Sequence, residues 1–131
     1  MKKGFTLVEI MIVVAIIALL AALVLPGLLR ARINANEAAA QANLKTIATA
    51  CESYASANNG MYPTSWSNLT SGNPAYLNKE FNGTYYQGYK ITCDFESDGS
   101  GYTCNATPQK TNVTGTKKFT ITTGGNLTSS S

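Results

Sequence analysis

The sequence predicts an α+β protein in which one long N-terminal helix, transmembrane in its first half and amphipathic in its second, packs against a small antiparallel β-sheet. Three observations predict it. Residues 10–25, IMIVVAIIALLAALVL, contain no polar side chain. Leu44, Ile47, Cys51 and Tyr54 then recur at spacings of three and four, which puts them on one helical face. Beyond residue 88 the apolar period changes to two, the period of a half-buried strand. The segments that follow are a short basic stub at 1–4, a membrane-spanning helix at 5–29, an amphipathic scaffold helix at 30–58 and a small sheet domain at 59–131.

The first helix rests on length. Ile10 to Leu29 is twenty residues without a charge, about what a helix needs to cross a bilayer core. A cleavable secretory signal would need a shorter apolar region ending in an Ala-x-Ala-like site, and Ala15, Ala18, Ala21 and Ala22 supply none. Ala15, Ala18 and Ala22 fall at helical spacing, either to let two helices approach closely or simply as good helix formers. Pro26, followed by Gly27, removes a backbone hydrogen bond, so a kink or local unwinding is expected there. Flanking charge nearly ties, with Lys2 and Lys3 on one side and Arg30 and Arg32 on the other.

Glu9 interrupts this run. A carboxylate in a membrane-facing segment costs on the order of a few kcal/mol without a partner. It either snorkels to water at the interface or pairs with a positive group from a neighbouring copy. The amine of a chain beginning at Phe5 would suit, because cleavage after Gly4 would bring an amine to the edge of the apolar segment.

KKG followed by FTLVEIMIVVAIIALLAALVLP resembles the N-terminus of type IV pilins and the related type II secretion pseudopilins, closely from Lys2 to about Arg32. The resemblance implies that Met1–Gly4 is a leader, cut on the C-terminal side of Gly4 by a prepilin peptidase, and that Phe5 becomes N-methylated. It implies that Glu9 neutralises the amine of an adjacent subunit during assembly, and that the helix loosens at Pro26. It also implies a pilin-like fold. The partners it implies are copies of the chain in a helical filament, the peptidase, an inner-membrane assembly platform and the membrane itself. The C-terminal domain would lie outside the cytoplasm before assembly into a surface pilus or a periplasmic pseudopilus.

The scaffold helix should stop at Asn59-Gly60, with Pro63 close behind. Its face of Leu44, Ile47, Cys51 and Tyr54 would cover the sheet, while Lys45, Thr49 and Glu52 point elsewhere. Residues 61–82 read as a connecting loop anchored by Tyr62, Trp66 and Tyr76. Tyr89, Ile91, Cys93 and Phe95 then alternate with polar residues, as do Tyr102, Cys104 and Ala106. A turn centred on Asp98-Gly99 would set Phe95 opposite Tyr102, Cys93 opposite Cys104 and Ile91 opposite Ala106. Directly opposed Cα atoms lie within disulfide range, so a Cys93–Cys104 bond is expected in an oxidising compartment. Cys51 packs as a small hydrophobe. Lys117 to Thr123 offers a further strand with Phe119 and Ile121 inward, for three or four strands in all.

Function classes narrow accordingly. Lysine plus arginine is 10 and aspartate plus glutamate 7, a net +3; past Arg32 the basic residues cluster only at Lys117-Lys118, so no nucleic-acid partner is expected. Histidine is absent, which removes imidazole bases and ligands. There is no Walker loop, metal-ligand cluster or nucleophile–base pair, so no enzyme site is expected. Asp94, Glu96 and Asp98 imitate the start of a calcium loop, but position twelve is Asn105 and a hairpin explains them equally; the expected cofactor is none, with calcium the one candidate. Five Asn-x-Thr triplets in so threonine-rich a chain are expected by chance. A structural filament subunit is the expected function, with a type II secretion pseudopilin and a non-polymerising membrane-anchored binding module as its alternatives.

Overall fold

The computed structural model describes residues 4–131, so the leader expected at 1–4 lies outside the described residues except for Gly4. The chain divides into two compact units, parting between Arg32 and Ile33. Helix α1 (Leu7–Ala57, 51 residues) contributes to both.

In the first unit, α1 is helical without interruption through Pro26, so the local unwinding expected there is absent. Proline deletes a single i→i−4 bond, and the leucines, valines and alanines around it keep the remaining ladder. The helix is long and apolar enough to cross a membrane, and every large apolar side chain from Phe5 to Leu29 is exposed.

In the second unit the helix turns one face to a sheet. Ala40, Leu44, Ile47 and Cys51 are buried and Tyr54 is half-buried against the same core. The helix ends where the sequence places its stop. Asn59 and Gly60 take φ of 57° and 83°, and the Gly60 N–H donates to the Ala55 carbonyl at 2.8 Å, satisfying an orphan carbonyl of the last turn.

Five antiparallel strands follow in chain order as a meander: β1 (Thr84–Tyr86), β2 (Tyr89–Phe95), β3 (Tyr102–Pro108), β4 (Lys118–Thr122) and β5 (Asn126–Ser130). The β2–β3 register is the one its alternation predicts, pairing Phe95 with Tyr102, Cys93 with Cys104 and Ile91 with Ala106. The loop that joins the two strands is centred on Asp98-Gly99, as that register requires. The Glu96 N–H donates to the Gly101 carbonyl at 3.0 Å, and the Gly99 N–H closes back on the Glu96 carbonyl at 3.1 Å. Gly99 takes φ 76°, which glycine adopts freely, and the Asp98 carboxylate accepts the Ser100 N–H at 3.0 Å. β4 buries Phe119 and Ile121.

The sheet has five strands, not three or four. β1 and β5 escape sequence pattern because, as edge strands, they have almost nothing to bury: β5 (NLTSS) half-buries only Leu127. The connection at 61–82 also holds a short helix, α2 (Trp66–Thr70). Its Trp66 ring sits edge-on to Phe95, with centroids 5.5 Å apart, and Leu69, Leu77 and Phe81 belong to the same buried core.

Candidate functional site

Gly4, Phe5 and Thr6 precede α1 in the first unit. A Cβ added at Gly4 would meet no atom within 4 Å, so nothing in the fold requires glycine there. Phe5 is 84% exposed. Thr6 and Glu9 form a reciprocal cap: the Glu9 N–H donates to Thr6 Oγ1 at 3.1 Å, and the Thr6 N–H donates to Glu9 Oε2 at 3.4 Å. This is a capping box, which satisfies two of the donors that any helix start leaves free. Its signal, T-x-x-E in TLVE, is legible in the sequence and is independent of any role for Glu9 at a membrane or a neighbour. Glu9 thus begins a helix and also borders a shallow, otherwise apolar hollow with Phe5, Ile10, Ile12 and Val13. Ala15, Ala18 and Ala22 are all exposed and free to pack against something outside the chain.

In the second unit, two carboxylates of α1 hold the sheet. Glu37 Oε1 accepts the Thr116 N–H at 3.0 Å and its hydroxyl at 2.8 Å, and the Asn36 amide donates to the Thr114 carbonyl at 3.0 Å. Burial pushes the Glu37 carboxyl up, but the Thr116 bonds and nearby Lys117 outweigh it and hold the net pKa below its ordinary value. Glu52 was expected to point away from the sheet. Instead its Oε2 accepts the Tyr62 hydroxyl at 2.7 Å, and its Oε1 accepts the Tyr102 hydroxyl at 3.1 Å and the Gly124 N–H at 2.7 Å. It sits beside the buried stripe, close enough for a long side chain to reach back under the edge of the sheet. The Tyr102 hydroxyl is pushed well above the usual tyrosine range, first by burial and then by Glu52.

Cys93 and Cys104 are bonded as a disulfide across β2–β3. Cys51 is a buried free thiol, its pKa pushed up to about 12 by burial and by Glu52 beside it. Asp94, Glu96 and Asp98 do not converge. All three are exposed, strung along the outer face of β2 and into the turn, and among the described residues no cluster of three or more histidine, cysteine or carboxylate ligands could hold a metal. The grooves beside α1 are shallow, lined by Lys45, Thr49 and Ser53, and the one carboxylate at their edge, Glu52, is already bonded.

Comparison with known proteins agrees with the first unit's chemistry. Residues 1–25 match the family described as the prokaryotic N-terminal methylation motif. The chain is 49% identical over 57 residues to the type IV wide pilus major component PilA4 of Thermus thermophilus, covering 44% of each chain. It is 44% identical over 53 residues to the type IV major pilin protein PilA of Myxococcus xanthus, covering 40% of this chain and 24% of that one. Over 79 residues it is 38% identical to the type II secretion system core protein G of Pseudomonas aeruginosa, covering 56% and 55%. The matched region therefore spans between a quarter and just over half of these relatives' lengths. No solved structure matches the chain.

Proposed function

We propose that the chain is a structural subunit of a type IV pilus-like filament. It is cleaved after Gly4 by a prepilin peptidase, methylated at Phe5, held as a single-pass inner-membrane protein with its sheet domain outside the cytoplasm, and passed by an assembly platform into a filament of its own copies. Helix 5–29 packs the filament core, with Glu9 neutralising the amine of a neighbour and Pro26 as the point where the helix can yield. The role is structural rather than catalytic.

The observation that carries this reading is the first unit itself. Its apolar side chains are exposed all round, and Glu9 is the one ionised side chain between Gly4 and Leu29. Lipid can cover such a helix, but a carboxylate within it gains most from a cation brought by another copy. Gly4, with no packing reason to be glycine, fits a residue read by a processing enzyme. The match to core protein G supports a second reading, a pseudopilin of a type II secretion system; the two pilus components are the more identical relatives, and the pilus reading is preferred.

Intact mass, measured separately on sheared surface material and on membranes, tests the proposal. A chain starting at methylated Phe5 in the sheared fraction is the expected result. The same chain confined to membranes would favour the pseudopilin. A chain that keeps residues 1–4 in both fractions would overturn the reading.

A further inference from the structure

Apart from the charges on α1, among them the exposed Lys45, and the Lys79-Glu80 pair, the second unit carries its ionised side chains at two opposite ends. Along the outer face of β2, Lys90, Thr92, Asp94 and Glu96 alternate with the inward Tyr89, Ile91, Cys93 and Phe95, so the face changes sign from one end of the strand to the other. Register extends this across the sheet. Lys90 pairs with Thr107, and Lys118 pairs with Ser130, at one end; Asp94 pairs with Thr103, which pairs with Thr122, at the other. Lys110 and Lys117 join the first end through the loop whose Thr114 and Thr116 are held by Asn36 and Glu37. Asp98 joins the second through the β2–β3 turn, where the Tyr62 N–H donates to the Gly99 carbonyl at 2.9 Å. Glu37 and Glu52 are spent on bonds inside the unit, and Lys79 and Glu80 are chain neighbours that offset each other.

These ends are ordered along α1. The basic end lies beside Asn36 and Glu37, and the acidic end lies beside Glu52 and the helix terminus. Fifteen residues of helix separate Glu37 from Glu52, about 22 Å at 1.5 Å each. Lys110, Lys117 and Lys118 are exposed, as are Asp94, Glu96 and Asp98.

We propose that these two ends form a contact between successive copies of the chain: the acidic end of one sheet domain, Asp94, Glu96 and Asp98, docks on the basic end of the next, Lys110, Lys117 and Lys118. The proposal rests on the filament reading, in which helices run parallel and copies are displaced along them. Unlike surfaces at opposite ends make a head-to-tail contact, and such contacts propagate into open helical arrays rather than closing. Opposed charge sets the register and makes the reverse orientation costly, since it brings like charges together. The pairing of Glu9 with a neighbour's amine would constrain the helices at one end of the chain, and the opposed charges add a second constraint at the sheet domains.

Charge exchange in the full-length chain tests it. Asp94→Lys with Glu96→Lys, and separately Lys110→Glu with Lys118→Glu, are expected to lower the sheared filament yield about tenfold while membrane levels of the chain stay unchanged. All four substitutions in one chain are expected to restore most of the yield. Lys117 is left in place because it stands near Glu37, and Asp98 because it closes its turn. Should a reversed chain vanish from membranes, Lys110→Gln with Lys118→Gln replaces it, with a smaller loss expected. Normal yield from either reversal, or no recovery in the fourfold variant, overturns the contact while leaving the filament reading standing. If the unaltered chain forms no filament, the filament reading falls and the contact falls with it.

Discussion

Glu9 caps α1 and, in the proposed filament, also neutralises a neighbour's amine, and single substitutions pull the two roles apart. Glutamine at this position still accepts the Thr6 N–H and keeps the cap, but it carries no charge. Thr6→Ala removes the other half of the cap at a cost of about 1 kcal/mol of local helix stability and leaves the carboxylate in place. If the charge is what assembly needs, Glu9→Gln abolishes incorporation into filaments with membrane insertion intact, while Thr6→Ala still assembles. Equal behaviour of the two variants in a shearing assay would instead make Glu9 a capping residue only. Glu52 is the corresponding residue of the sheet domain. Its truncation in Glu52→Ala leaves two tyrosine hydroxyls and the Gly124 N–H without their acceptor, and should cost about 2 kcal/mol in urea unfolding. Glu37 adds a pH dependence. Its folded pKa is depressed, so its contribution is fully present above the unfolded value near 4.5 and is lost as pH falls through the folded value. Glu37→Gln should therefore be less stable than the unaltered chain at pH 7 and indistinguishable from it once both are titrated well below pH 4. A stability gap that persists in acid would mean the carboxylate charge is not what holds Thr116.

At the scale of elements, α1 and β3 meet across a core built from few large side chains, so each counts. Leu44, Ile47, Cys51, Ile91 and Cys104 are fully buried, and Ile47→Ala should cost about 2–5 kcal/mol by lost transfer energy plus the cavity left behind. The Cys93–Cys104 bond spans 11 residues and contributes roughly 3 kcal/mol by loop entropy. Replacing both cysteines by serine should lower the denaturant midpoint accordingly, and peptide mapping without reductant should recover the linked pair from the unaltered chain. The elements that sequence pattern exposes are the ones with a face to bury: the helix, through its three-and-four spacing, and β2, β3 and β4, through their alternation. β1 and β5 stayed hidden because they bury too little for their alternation to show, and α2 because five residues barely exceed one helical turn. Glu52 stayed hidden for a related reason. Helical spacing assigns a residue to a face by its Cα, whereas a glutamate side chain is long enough to reach a neighbouring face.

At the scale of the whole molecule, local chemistry and distant contacts divide the account between them. Legible from the residues alone are the membrane-length helix, the N-terminal motif over residues 1–25 that matches the methylation-motif family, the helix stop at Asn59-Gly60 and the β2–β3 register. Each of these depends on residues close together in the chain, where spacing alone says which side chains share a face or a turn. Only the tertiary structure decided that Glu37 and Glu52 hold the sheet, that five strands form it, and that lysines and carboxylates collect at its opposite ends. Those features join residues as far apart as Glu37 and Thr116, brought together because burying the stripe of α1 under the sheet leaves their donors and acceptors no better partners than each other.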